Sequence, residues 1–376
     1  MKRPLVILIL ARIMGWPPWG AGLVGSLTIG CTQPAAPAEA VCPENLAFFD
    51  NRSSVVGMDG AFSIPLANSQ ALWLFGDTFL GRIADGTRQI AGGLSNSGAI
   101  VSPANVRPRC RGAAFIGGHE AVQVIGTPDI PGDVRVWPGD GIERDGVVWL
   151  YYIVVDASPG VAGGFQVLGY GVVSGRGAPP TFAPSKQLLW KHPSPSFGTS
   201  VIAVGDQLYV FGTRPAEDGS LRTDVLLARA PLDGALDSAS SYSYRTESGA
   251  WSADPSLAAP VTAGGPEMSV RYNAFRRTYV AFSIPPFGST IEMRTAEEPW
   301  GPWSEARTVG QCELPYDVPE AFCAGAKQHV ELDREGGREV VLTYNTNFHE
   351  DPFSMLKAYP LMYWPVFLDV RVPEEP

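Results

Sequence analysis

The chain has 376 residues, 45% hydrophobic and 18% charged, with 42 glycines, 34 prolines and a net charge of −10. That balance excludes a disordered chain, which is poorer in apolar residues, and a nucleic-acid partner, which needs a basic face. It suits a globular protein of short strands and tight turns whose ligand is a neutral sugar, a peptide or a cation.

Residues 1–30 read as an export leader. Lys2 and Arg3 precede "PLVILIL", and Arg12 and Pro17–Pro18 interrupt the apolar stretch beyond it. No run reaches the ~18–20 apolar residues of a membrane span. The leader closes on "SLTIGC", which resembles a bacterial lipoprotein cleavage site with Cys31 as the acylated residue. Thr28 stands where Leu is usual, and an ordinary secretory leader cut nearby is the alternative. Residues 31–41 then form an Ala/Pro tether, "TQPAAPAEA" at its centre, leaving 42–376 as one domain. Cys42, Cys110, Cys312 and Cys323 remain, and outside the cytosol four cysteines suggest two disulfides. Of the three pairings we favour Cys312–Cys323, which closes a short loop, with Cys42–Cys110. No Cys/His cluster has zinc spacing.

Beyond the tether, period-two patterns and short apolar runs dominate, bounded by Gly, Pro, Asp and Asn. Five segments share one form, a tight turn followed by a very apolar strand: "ANSQALWLFGDTF", "ERDGVVWLYYIVVDA", "VGDQLYVFGTR", "NAFRRTYVAFS" and "REGGREVVLTYNTN". A further strand follows each: "SNSGAIVS", "FQVLGYGVVS", "TDVLLARAP", "STIEMRTAE" and "LMYWPVFLDVRV". The apolar strands begin near Ala71, Val147, Gln207, Thr278 and Glu339, at spacings of 76, 60, 71 and 61 residues. Recurring β-units of this kind predict an all-β, five-bladed β-propeller. "PWGPWSE" would open the fourth blade's outer strand. A β-sandwich, at ~100 residues, fits five matched units poorly.

In such a ring the start of each inner strand and the end of the next strand share one face. Counting outward from each turn puts Asp59 opposite Thr78, beside Asp77, and Glu267 opposite Ile284. It brings Lys327 and His329 near Asn345 and Thr343, and sets Thr199 and Ser200 against Gly212 and Phe211, with Arg214 just beyond. Asp140 lies only five residues from its turn, which implies a bulge or a deeper seat in the channel. One face is thus expected to carry Asp59, Asp77, Asp140, Glu267, Lys327, Arg214, His329 and Asn345, with Trp73, Trp137, Phe79 and Tyr344 nearby. Carboxylates among aromatic platforms suit glycosidic cleavage, where one acid protonates the leaving oxygen and another carboxylate activates water or attacks. Plainer readings exist. Asp59, Asp77 and Asp140 each adjoin a glycine and would serve as turn residues, His329 as a hydrogen-bonded channel histidine, and Lys327 and Arg214 as ion-pair partners.

"DGAFSIPL…LWLFGDTF", "SNSGAI", "VWPGDGI…VVWLYY", "GPWSE" and "LTYNTN" together resemble domain-of-unknown-function family 4185, over about Phe49 to Val372. That family is similar to five-bladed propeller glycoside hydrolases, and some members are endo-acting D-arabinan hydrolases of the mycobacterial cell wall. The resemblance implies a hydrolase of furanosidic or related polysaccharide. It makes Asp59 the base or nucleophile and Asp140 an acid or a tuner of its neighbours. Related arabinanases carry their acidic Glu in the third blade, where this chain has Thr199 and Ser200, so the general acid falls to Glu267 or Asp140. Asp77, Trp137, Arg214, His329 and Asn345 are expected to bind sugar. Sialidase repeats of the Ser-x-Asp-x-Gly-x-Thr-Trp type are missing. The expected protein is an exported monomer of the cell envelope, lipid-anchored at the outer membrane or secreted. It would act on cell-wall or environmental polysaccharide without a cofactor, and a structural calcium in the channel is left open. The alternatives are a non-catalytic carbohydrate-binding surface lipoprotein and a protein-binding propeller.

Overall fold

The computed structural model describes residues 53–102, 113–158, 165–184, 187–349 and 352–374. The leader, the tether, Cys31, Cys42 and Cys110 lie outside the described residues.

Five antiparallel sheets follow one another along the chain. Blade 1 runs Val55–Pro65, Ala71–Ala84, Ser97–Val101 and Ala113–Phe115, with Thr87–Leu94 pairing back on the long second strand. Blade 2 is Val134–Arg144, Val147–Asp156, Gln166–Gly175 and Trp190–Lys191. Blade 3 is Ser200–Val204, Gln207–Pro215, Thr223–Pro231 and Ser243–Arg245, extended by Trp251–Ser252 and Pro260–Gly264. Blade 4 is Met268–Asn273, Thr278–Ser283, Thr290–Ala296 and Arg307–Gln311. Blade 5 is Ala321–Gln328, Glu339–Phe348 and Val366–Arg371. Each inner strand packs on the next, and blade 5 packs on blade 1. The molecule is a five-bladed β-propeller.

Each second strand carries an apolar run because its blade is covered on both faces. In Ala71–Ala84 the first nine residues are buried. Leu72 and Leu74 enter a core shared with Val136, Leu150 and Tyr152 of blade 2. The alternate residues Trp73 and Phe75 enter a core with Trp364 and Phe367 on the blade 5 side. Blade 3 repeats the device: Leu208 and Val210 face blade 2, and Tyr209 and Phe211 face blade 4. Period two persists, but both of its faces are hydrophobic. Between the first two strands of blade 2, Asp145 and Gly146 both take positive φ (52° and 72°). A two-residue hairpin turn demands that of an Asp-Gly pair.

In two blades the pairing of the inner and second strands shifts register where the sequence carries an acid before glycine. Register shifts fall between Met58 and Gly60 in blade 1 and between Pro138 and Gly141 in blade 2. In blade 1 the extra residue falls on the second strand, so Asp59 lies across from Gly76–Asp77 instead of opposite Thr78, whereas in blade 2 it falls on the inner strand, at Gly139–Asp140. In blade 3, Ser200 pairs with Phe211 as counted. In blade 4, Met268 pairs with Ser283, which carries Glu267 toward Ile284. "PWGPWSE" does not open the fourth strand of blade 4, which begins at Arg307. It is a loop tied to the third strand by Ser304 N–H to Thr295 O (2.8 Å) and Thr295 N–H to Ser304 Oγ (3.0 Å).

The ring closes through loops and side chains between blades 5 and 1. Met58 N–H donates to Tyr363 O (2.7 Å), and Asn345 Nδ2 donates to Met58 O (3.2 Å). Arg88, 1% exposed, donates to four carbonyls: Val56 (2.6 Å), Pro360 (3.0 Å), Met362 (2.6 Å) and Leu356. It thereby staples the segment after the short helix Pro352–Ala358 to the first blade. The Cys312–Cys323 disulfide is formed, with Cα atoms 6.4 Å apart, inside the range for a bridge. Among the described residues no helix is long and apolar enough to cross a membrane.

Candidate active site

A cleft of ≈ 400 Å³ opens on the face where the inner strands begin. Asp59, Asp77 and Glu267 line it, with Arg214, Thr199 and the aromatic residues Trp137, Tyr151, Tyr152, Phe165, Tyr170 and Phe197. Blade 1 supplies two acids because the register shift sets Asp59 across from Gly76–Asp77, midway along the second strand Ala71–Ala84. Gly76 leaves the space between open: a Cβ there would lie 3.9 Å from both Asp59 Cβ and Trp137 Cδ1. Trp137 stands against Phe165 edge-on, centroids 4.9 Å apart. Glu267 precedes the inner strand of blade 4 and pairs with Lys327 of blade 5, whose ammonium lies 4.1 Å above the Phe62 ring. Gly325, at φ +70°, makes room for that pair, since a Cβ there would be 3.2 Å from both charged atoms.

Burial dominates the electrostatics. Asp59 is pushed up to about 7, first by burial and then by the Glu267 charge, with Gly60 N–H (2.7 Å) and Lys327 pulling the other way. Asp77, 5% exposed, is pushed up to about 6 by burial, against Arg135. The Arg135 Nη1 lies 3.9 Å from its Oδ1. The Trp137 indole N–H also lowers Asp77, but from a position short of full hydrogen-bond geometry.

Asp140 does not join this group. It copies the local form of Asp59, capping its own next amide (Gly141 N–H to Oδ1, 2.8 Å). Its carboxylate then turns from the cleft and is saturated. The Arg271 guanidinium grips both oxygens (2.9 and 3.2 Å), and Val201 N–H donates at 2.7 Å. Asp140 therefore ties blades 2, 3 and 4 together at the channel. His329 and Asn345 also lie off the cleft wall. His329 is fully buried between Ser63 Oγ (2.9 Å) and Thr343 Oγ1 (2.8 Å), stacked on Trp73 at 4.0 Å. Burial pushes it well below its ordinary value, so it is neutral. Asn345 serves the ring closure. Trp137 and Arg214 do line the cleft, Arg214 paired with Glu217 at 3.1 Å.

Three polar residues escaped the sequence reading. Arg135 shares a strand face with Trp137, two residues on, and that spacing was a usable signal. Arg271 carried no local mark. Glu331 follows His329 by two residues and accepts from Trp73 Nε1 (2.8 Å) and Ser63 Oγ (3.1 Å), with burial raising it to about 7. Among the described residues no three His, Cys, Asp or Glu side chains gather as a metal ion would need.

Fold and cleft together define a five-bladed propeller with a carboxylate-bearing, aromatic-lined site at one mouth of its channel. Within that class the chain belongs to the family described as Domain of unknown function (DUF5005), which matches residues 45–371. This replaces the family expected from the motifs. No curated protein matches. A crystal structure from Bacteroides ovatus ATCC 8483, named as a candidate hydrolase, is similar at TM-score 0.65 and 17% identity, covering 87% of this chain and 88% of that one. CoXyl43, a GH43 β-xylosidase/α-arabinofuranosidase from a compost microbial metagenome solved with xylotriose, aligns at TM-score 0.48 and 13% identity, covering 86% and 93%. The α-L-arabinofuranosidase PaAbf62A from Podospora anserina, solved with cellotriose, aligns at TM-score 0.47 and 12% identity, covering 91% and 95%. The likeness to the first of these, at 17% identity, speaks to the fold alone.

Proposed function

We propose that this protein is a glycoside hydrolase acting on a polysaccharide, with furanosidic glycans as the first candidates. The observation that carries the reading is the meeting of Asp59 and Glu267 in one aromatic-lined cleft under opposite influences. Asp59 is half-buried, and loss of solvent together with the Glu267 charge lifts it to about 7, so it holds its proton up to about that pH. Glu267 is partnered by the buried ammonium of Lys327, which needs a counter-charge. These influences favour the reverse of the roles drawn from the resemblance. Asp59 gives its proton to the leaving glycosidic oxygen, and Glu267 takes the proton of the attacking water. Asp77 and Arg135 orient Asp59 and a sugar hydroxyl, and Trp137 and Phe165 offer ring faces to the sugar. Asp140 acts through the frame, holding three blades in register.

The leader sequence further supports export, with Cys31 as a lipid anchor. Cys31→Ser should move the protein from the membrane to the soluble fraction, and unchanged partition would reject the anchor. The hydrolase reading is tested by screening the purified protein against arabinans, xylans and other furanosidic and pyranosidic polysaccharides, with Asp59→Asn alongside. Release of reducing ends that the variant loses supports it. Binding without turnover by the wild type makes the chain a carbohydrate-binding protein instead.

A further inference from the structure

Glu267 belongs to two hollows. With Pro266 it walls the cleft on the side of blades 1 to 3 and also a shallow depression on the side of blades 4 and 5. The second hollow holds only ≈ 30 Å³, so it is a shelf across which a flat ring would lie. Its surface is aromatic. The His349 imidazole stacks on Phe322, centroids 4.1 Å apart and planes within 17°. The Phe287 ring stands 5.3 Å from the same imidazole at 43°.

Phe287 marks this shelf as more than packing. It is 48% exposed, and its φ of 59° lies in the left-handed region that bulky residues avoid. Pro285 and Pro286 lead into it, and Gly288 N–H closes the turn on Pro285 O at 2.9 Å. An aromatic ring held out of the core in a costly backbone conformation, beside an acid of the cleft, is placed for contact with something outside the chain. Phe322 is anchored from below because its neighbour Cys323 is bridged to Cys312.

We propose that the Phe287–His349–Phe322 shelf is a second sugar subsite, on the far side of Glu267 from the main cleft. A bound glycan then crosses the acid from blades 1–3 to blades 4–5, with a sugar unit on each side of the bond to be cleaved. The substrate is therefore an oligo- or polysaccharide whose leaving group is itself a sugar, stacked by its C–H face on the aromatic shelf. This inference rests on the hydrolase reading above.

The test is a titration of the full chain carrying Asp59→Asn, which halts turnover and leaves the shelf intact. The probes are arabino- and xylo-oligosaccharides from disaccharide to pentasaccharide, with and without Phe287→Ala. Phe287 is exposed, so its truncation spares the core. Affinity should rise with length, and Phe287→Ala should cost roughly two- to tenfold for the longest probes and nothing for the shortest. Phe287→Trp should restore the loss. Binding that Phe287→Ala leaves unchanged, or weakens equally at every length, overturns the subsite and spares the cleft. No binding at any length overturns the carbohydrate reading itself, and the subsite with it.

Discussion

Asp59 receives a 2.7 Å hydrogen bond from Gly60 N–H, which by itself would favour the carboxylate, yet burial and Glu267 outweigh it and lift the group to about 7. In its proposed role as proton donor, Asp59 should make kcat/KM fall as pH rises through about 7. A rate that instead rises through 7 would make Asp59 the base and restore the roles drawn from the resemblance. Asp59→Asn should cut turnover by ~10²–10⁴ while leaving sugar binding largely intact. Glu331 is lifted by burial as well, from 4.5 to about 7, but it sits off the cleft wall. Between those values the folded state keeps a proton that the unfolded chain has released. Its contribution to stability is therefore full below pH 4.5 and is lost as pH rises to 7. His329 works in the other direction, costing stability as pH falls below 6.5. Glu331→Gln should leave Tm near the wild-type value at pH 4.5 and raise it by roughly 2–4 °C at pH 8. A Tm difference that does not grow with pH would show that Glu331 is not held protonated.

At the scale of the strand, register shifts between the first two strands of a blade decide which acids meet. Asp59 and Asp140 share a sequence form, a register shift beside them and a bond to the following amide, yet only Asp59 reaches the cleft. The difference is Arg271, 131 residues from Asp140, and no local pattern reveals a partner at that distance. The five blades were legible because every second strand is apolar on both faces and recurs at blade length. Glu267 was legible because a Glu entering an inner strand after Gly-Gly-Pro needs a reason. Arg88 was not legible: it lies on the strand Thr87–Leu94, its neighbours Thr87 and Gln89 are exposed, and three of its four acceptors are more than 260 residues away. Arg88→Met should orphan those carbonyls and destabilise the protein by about 3 kcal/mol or more, a fall in Tm of roughly 5–10 °C. An unchanged Tm would mean the ring closes without the staple. Cys312→Ser with Cys323→Ser opens a loop with a sequence separation of 11 and should cost about 2–3 kcal/mol. Denaturant melts of oxidised and reduced wild-type protein should differ by a similar amount.

At the scale of the whole molecule, the propeller brings together residues that the chain separates widely. Asp59 and Asp77 come from blade 1, Trp137 from blade 2, Thr199 and Arg214 from blade 3, Glu267 from blade 4, and Lys327, which holds Glu267, from blade 5. The last blade is sealed to the first by Arg88, Asn345 and Tyr363, and that closure sets Lys327 of blade 5 beside Phe62 of blade 1 at the cleft. A variant that loosens the closure, such as Arg88→Met, should therefore lose activity at temperatures below its global melting transition. Asp59 and Glu267 are proposed to form one hydrolytic pair. That pairing is tested most directly by measuring reducing-end release from the best polysaccharide of the screen by wild type, Asp59→Asn and Glu267→Gln, with binding measured on the same preparations. The wild type should hydrolyse, both variants should lose hydrolysis, and each variant should retain binding. Hydrolysis that survives either substitution at the wild-type rate would contradict the pairing.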